Sequence, residues 1–187
     1  MGLHLKPQDV VLALKAVATG RRNWTQTELA QAVFVSPSEC NEGLKRLAAC
    51  HLFDRGENRI IRANLLEFLV HGLRYVFPAR LGDYRSGVPT GFALRDLADA
   101  AGVMVADDED RVVWPLADGE IGAAFGRAIE PLYKTVPRAA EHDPEFHEYL
   151  ALIDMVRIGR SHESPAACKE LEMRLINEEK QRASLFS

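Results

Sequence analysis

Residues 24–62 read WTQTELAQAVFVSPSECNEGLKRLAACHLFDRGENRIIR, and the fold turns on how they are parsed. Thr25 is followed three residues later by Glu28, and Ser36 by Glu39, with Pro37 between them at what would be a first helical position. In this spacing a hydroxyl accepts an orphan backbone N–H while the carboxylate reaches back to the cap, so each helix start is written locally. Only Phe34 and Val35 separate the first helix from the second cap, which leaves room for a sharp turn and nothing more. In the second helix Cys40, Leu44, Leu47 and Ala48 recur at helical spacing and face inward, while Ser38, Asn41, Glu42 and Lys45 face out. Leu52-Phe53, then Arg55-Gly56-Glu57-Asn58, then Arg59 to Arg62 reads as strand, turn and returning strand.

Two short helices joined by a tight turn and followed by a hairpin resemble the winged helix-turn-helix of transcriptional regulators, loosely of the MarR type. The resemblance rests on Leu29-Ala30, Val35-Ser36-Pro37-Ser38 and Leu44-Lys45-Arg46-Leu47, and covers about residues 7–77. It implies a recognition helix starting at Pro37 and a wing tip from Arg55 to Arg59. Asn41 would then bond adenine in bidentate fashion, and Glu39 or Glu42 would accept from cytosine N4. Ser36, Ser38, Lys45, Arg46, Arg55 and Arg59 would fix the register through phosphates, with Arg62 on the return strand. The turn position that usually holds Gly carries Phe34, which requires a positive φ or a different turn.

Outward from this unit, Pro7 opens a helix with Val10, Leu14, Val17 and Ala18 on one face, closed by Gly20. Arg21 and Arg22 follow, and Trp24 is placed to staple onto the next helix. Asn64 with Glu67 marks a further start, with Leu66, Leu69, Val70, Leu73 and Phe77 as its apolar stripe and Pro78 as its stop. Residues 78–92, with Pro78, Gly82, Gly87, Pro89 and Gly91, read as a linker or long ordered loop. Leu94 to Ala101 is a short helix stopped by Gly102. Val103–Val105 and Arg111–Trp114 are strand-like runs around the acidic stretch 107–110, read as a solvated hairpin tip. Residues 115–135 read as irregular. Asp143-Pro144 and Ser164-Pro165 open two helices that form a hairpin, the first with Phe146, Tyr149, Leu150, Ile153 and Val156 inward, the second with Ala167, Leu171, Leu175 and Ile176. From Glu178 the tail is polar.

The expectation is therefore a mostly α, α+β protein: a winged unit over residues 1–77, then an acidic region over 78–187 made of a loop-rich segment and a helical hairpin. The 187 residues suffice for one large domain or two small ones. Charge divides along the same line. Residues 1–77 carry 10 Lys+Arg against 7 Asp+Glu, and residues 78–187 carry 13 against 20. A mildly basic part joined to an acidic one suits a DNA-binding module attached to something that does not touch DNA.

Three cysteines, Cys40, Cys50 and Cys168, without a CxxC pattern fit a reduced, cytoplasmic chain. There is no secretory leader pattern, and the longest apolar stretch, Leu65 to Phe77, is broken by Glu67, His71 and Arg74, so no membrane span is expected. No phosphate-binding glycine motif and no nucleophile elbow occurs. His142 and His147 are five apart, where a zinc helix wants four, so no metal, cofactor or catalytic residue is assigned.

The resemblance implies double-stranded DNA as partner and a homodimer as the acting form, with residues 78–187 serving dimerisation, effector sensing or a protein partner. The alternative is an antitoxin-like or assembly-adaptor module that never binds DNA. Glu39 and Glu42 on the reading face favour it, because they repel phosphates.

Overall fold

The computed structural model describes residues 4–20, 24–107, 109–117, 120 and 122–177. Arg21, Arg22, Asp108 and the tail from Glu178 lie outside them. The chain is mixed α/β and mostly helical, with a two-stranded and a three-stranded sheet.

Helix α1 (Pro7–Ala18) is buried on more than the expected face. Asp9 through Leu14, Ala16 and Val17 are all inside, because α2 (Gln26–Ala32), α3 (Pro37–Ala49) and α8 (Pro144–Ile158) all pack on it. Both capping boxes form. Thr25 Oγ1 accepts from Glu28 N at 3.2 Å while Glu28 takes Thr25 N–H at 2.8 Å. Ser36 and Glu39 repeat the exchange at 3.1 and 3.0 Å. Phe34 holds φ +55 at the turn, and Val35 N–H closes back onto Ala30 O at 3.0 Å. A short antiparallel hairpin follows, β1 (Phe53–Asp54) on β2 (Arg59–Ile60). Its turn is built by Asp54, whose Oδ1 accepts from Gly56 and Glu57 N–H at 2.9 and 3.1 Å. Trp24 packs on Phe53 in a tilted arrangement, ring centroids 6.0 Å apart.

The next helix begins before the expected box: α4 spans Arg62–Glu67, and Asn64 donates instead to His51 O at 2.7 Å. It continues through a π turn (Phe68–Gly72) into α5 (Leu73–Val76). The wider turn moves the buried stripe to Leu65, Leu69 and Leu73, each 0% exposed, and leaves Leu66, Val70 and Phe77 half-buried.

The stretches read as linker and as irregular chain each supply a strand of a sheet, and the strand-like run at 111–114 supplies the third. β3 (Leu81–Thr90) pairs antiparallel with β4 (Val112–Pro115) through its last four residues and with β5 (Ala124–Ile129) through the rest. β4 and β5 pair parallel, which closes the three strands on themselves. The glycines that suggested a loop are required by close packing of backbone on backbone. A Cβ at Gly87 would lie 2.2 Å from Trp114 O, and one at Gly126 would lie 2.5 Å from Arg111 O.

After a 3₁₀ turn (Gly91–Ala93) comes α6 (Arg95–Ala101), ended by Gly102 at φ +67 as expected. Residues 103–105 form no strand, so the expected hairpin with 111–114 has no first strand. Asp107 Oδ1 accepts from Glu109 and Asp110 N–H, and Asp110 pairs with Arg160 at 3.0 Å.

α7 (Val136–Ala140) leads to α8 (Pro144–Ile158), capped by Asp143 as its spacing predicts, with Oδ1 accepting Phe146 N–H at 3.0 Å. Tyr149 to Arg157 is buried all round, so α8 is the central strut and not a one-faced surface helix. α9 (Glu163–Glu172), extended by a π turn (Met173–Asn177), packs against it. One continuous apolar core runs from α1 and α3 to α8 and the sheet, so residues 1–77 and 78–187 share an interior.

Within that core Asp154 accepts from Thr90 Oγ1 at 3.0 Å, Trp114 Nε1 at 2.6 Å and Arg157 Nη1 at 2.7 Å. Arg157 in turn donates to Phe77 O at 3.0 Å and Glu130 O at 3.2 Å. Burial holds the Asp154 carboxyl above its ordinary value, and Arg157, Trp114 and Thr90 offset only part of that rise. Thr90 Oγ1, Trp114 Nε1 and the Nε and Nη1 of Arg157 all find acceptors, which is the condition under which buried polar groups are tolerated.

Candidate nucleic-acid interface

α3 presents its apolar side, Cys40, Gly43, Leu44 and Leu47, to the core. Burial pushes the Cys40 thiol up to about 11. The outward row keeps Ser38 and Lys45 exposed, with Asn41 and Glu42 half-buried. Glu42 and Lys45 pair at 2.7 Å. Such an exposed pair is worth about 0–1 kcal/mol and yields readily to a competing phosphate. Ser36 and Glu39 spend their side chains on each other, Ser36 Oγ donating to Glu39 Oε2 at 2.8 Å. Those bonds, from Ser36 N–H first and its hydroxyl second, hold the Glu39 carboxyl below the ordinary value.

Two members of the expected set are placed otherwise. Arg46 does not reach outward. Its Nε and Nη2 grip both oxygens of Asp9 at 2.7 Å each, and Asp9 is 0% exposed. A guanidinium fork holding a buried carboxylate is not available to a phosphate. Arg62 is not on a return strand, since β2 ends at Ile60. Arg62 is the first residue of α4 and half-buried.

Arg55 and Arg59 lie exposed at the hairpin tip. Asn58, at φ +47, fixes that tip by donating to Trp24 O at 3.5 Å, so the hairpin is held against the chain that enters α2.

The fold adds cations that the sequence reading left out. The segment before α7 docks on the α2–α3 turn, where Thr135 Oγ1 donates to Val33 O at 2.7 Å. It lays the Arg138 guanidinium 3.9 Å from the Phe34 ring centroid. Lys134 on the same segment, and Lys6 just before α1, both act on the Glu39 carboxyl as neighbouring positive charges. No local pattern marks these residues, because Lys134 is 95 positions downstream of Glu39, Lys6 is 33 upstream of it, and Arg138 is 104 downstream of Phe34.

Elsewhere, a groove of about 570 Å³ lies between α4 and α9, floored by Leu66, Val70, Pro165 and Cys168. His147 stacks on Trp114 at 5.1 Å with Nε2 2.9 Å from Pro89 O, and burial holds its pKa below the ordinary value. Among the described residues no three His, Cys, Asp or Glu side chains gather to hold a metal, and no helix is long and apolar enough to cross a membrane. Comparison with protein-family models, with curated proteins and with solved structures finds no match, so the functional reading rests on this geometry alone.

Proposed function

We propose that residues 7–77 form a winged helix-turn-helix unit that binds double-stranded DNA, and that the chain acts as a homodimeric transcriptional regulator. A single observation carries the reading. The outer row of a 13-residue capped helix faces solvent beside a hairpin whose exposed residues 55–59 carry an arginine at each end, Arg55 and Arg59, with Glu57 between them. A helix of this kind fits the major groove, and arginines on a hairpin suit phosphates or a narrow minor groove. Ser38, Asn41, Glu42 and Lys45 are the side chains placed to read or to position. Residues 78–187 supply dimerisation, effector sensing or a partner surface, and no catalytic role is assigned.

Glu39 and Glu42 support a second reading, an adaptor that binds protein and never DNA. Fluorescence anisotropy with a random duplex at several salt concentrations separates the two. The DNA reading expects binding at low salt, with log affinity falling by about 0.9 per phosphate contact for each unit of log salt. The adaptor expects no binding even at low salt.

A further inference from the structure

We propose that Lys134 and Arg138, which precede and lie within α7 in the acidic half of the chain, are phosphate-contacting residues that extend the DNA interface past the α2–α3 turn. The inference rests on the DNA reading above and adds to it a second cationic contact, on the opposite side of α2 from the arginine-tipped hairpin.

The segment is placed firmly. Leu132, Val136, Ala139 and Ala140 are buried beneath it, and the Thr135–Val33 hydrogen bond ties it to the turn. The two cations therefore project from a fixed frame, which limits the ordering entropy lost when a ligand binds. Arg138 is exposed although its guanidinium stacks at 3.9 Å on Phe34. Stacking on a ring occupies a face of the guanidinium and leaves its N–H edge free, the arrangement suited to a bidentate phosphate contact. Lys134 is exposed too, its Nζ 6.0 Å from the Tyr133 ring centroid. Among the described residues neither cation is held in an ion pair.

The charge balance favours an anion here. Lys134 and Lys6 flank Glu39, Arg138 covers the turn two residues before Ser36, and Glu39 is already engaged by its own cap. The contact also accounts for Phe34. A residue at φ +55 would ordinarily be glycine, and the aromatic ring there is the platform that aims Arg138. On the α2 N-terminal side, Asn58 fixes the hairpin to Trp24, and on the C-terminal side Arg138 fixes α7 to Phe34. Cations thus stand beyond both ends of α2, as a protein does when it grips phosphates on either side of a groove.

The test is anisotropy with a random duplex between 50 and 200 mM salt, using the full chain, Lys134→Gln/Arg138→Gln, and Arg138→Lys. Two lost phosphate contacts in each subunit reduce the salt slope by about 1.8 per bound subunit, so over this fourfold range the double variant should lose about twelvefold less affinity per subunit than the unmodified chain. Its affinity at 50 mM should also be lower. Arg138→Lys, which keeps the charge and loses the planar stack, should keep the salt slope; a purely structural role for the stack would leave the slope unchanged in the double variant as well. A folded double variant with an unchanged slope overturns this inference and leaves the DNA reading standing. Failure of the unmodified chain to bind at 50 mM overturns both.

Discussion

Arg46 decides whether the outward row of α3 has been read in the correct register. Its fork donates two 2.7 Å bonds to Asp9, and Lys6 N–H supplies a third at 2.8 Å. Arg46 is 12% exposed at the side chain and Asp9 0%. Gly43 is part of the same fit, since a Cβ there would meet Leu12 Cδ1 at 2.7 Å and Asp9 Oδ1 at 2.9 Å. Arg46→Met keeps most of the apolar stem and strands the carboxylate. Breaking a buried pair from one side costs about 3–5 kcal/mol, and the surviving Lys6 N–H bond puts this site near about 3 kcal/mol. For a chain of this size that is a fall in Tm of about 6–12 °C. Urea and thermal unfolding followed by circular dichroism would measure it. Asp9→Leu/Arg46→Met should recover most of the loss, because replacing both partners with apolar groups is often neutral. A loss under about 1 kcal/mol accompanied by weaker DNA binding would refute the assignment and return Arg46 to the phosphate set.

Three further outcomes follow from other parts of the fold. Phe34→Gly should be close to neutral, since relief of about 1 kcal/mol of left-handed strain offsets the lost stack on Arg138; Phe34→Ala keeps the strain, loses the stack, and should unfold at the lower temperature of the two. If alanine proves the more stable, the turn is not left-handed. Cys40, with a thiol at about 11, is about one part in a thousand ionised at pH 8, so native protein should be labelled there only on unfolding, and Cys40→Ala should still fold. For His147 burial lowers the pKa in the folded state, so its contribution is fully present above the ordinary histidine value and is lost as pH falls from about 6.5 toward the depressed one. Urea midpoints should drop across that window, by no more than about 1.4 kcal/mol per pH unit for one proton, and His147→Gln should flatten the curve.

Local chemistry carried the parts of the fold that were legible in the chain. The boxes at Thr25 and Ser36, the cap at Asp143 and the stop at Gly102 each need only a few neighbouring residues, so their spacing was sufficient to place them. Cys40 could be assigned inward because a helix with polar residues on one face leaves one way to pack. Of the sheet only the strand-like run at 111–114 was legible, because the strands pair with β3 across 22 (Thr90 to Val112) to 48 residues (Leu81 to Ile129) and the glycines answer to a facing backbone that no local window contains. The roles of the arginines were equally out of reach. Arg46 and Arg55 look alike in sequence, and only the buried Asp9, 37 residues away, takes the first out of the interface. Arg138 and Lys134 lie in an acidic half of the chain that composition set apart from DNA, and only the docking of α7 on Phe34 brings them to α3. Caps and helix faces are decided within a turn or two of helix, whereas the charge that a surface presents is decided by which distant segments pack beneath it and beside it.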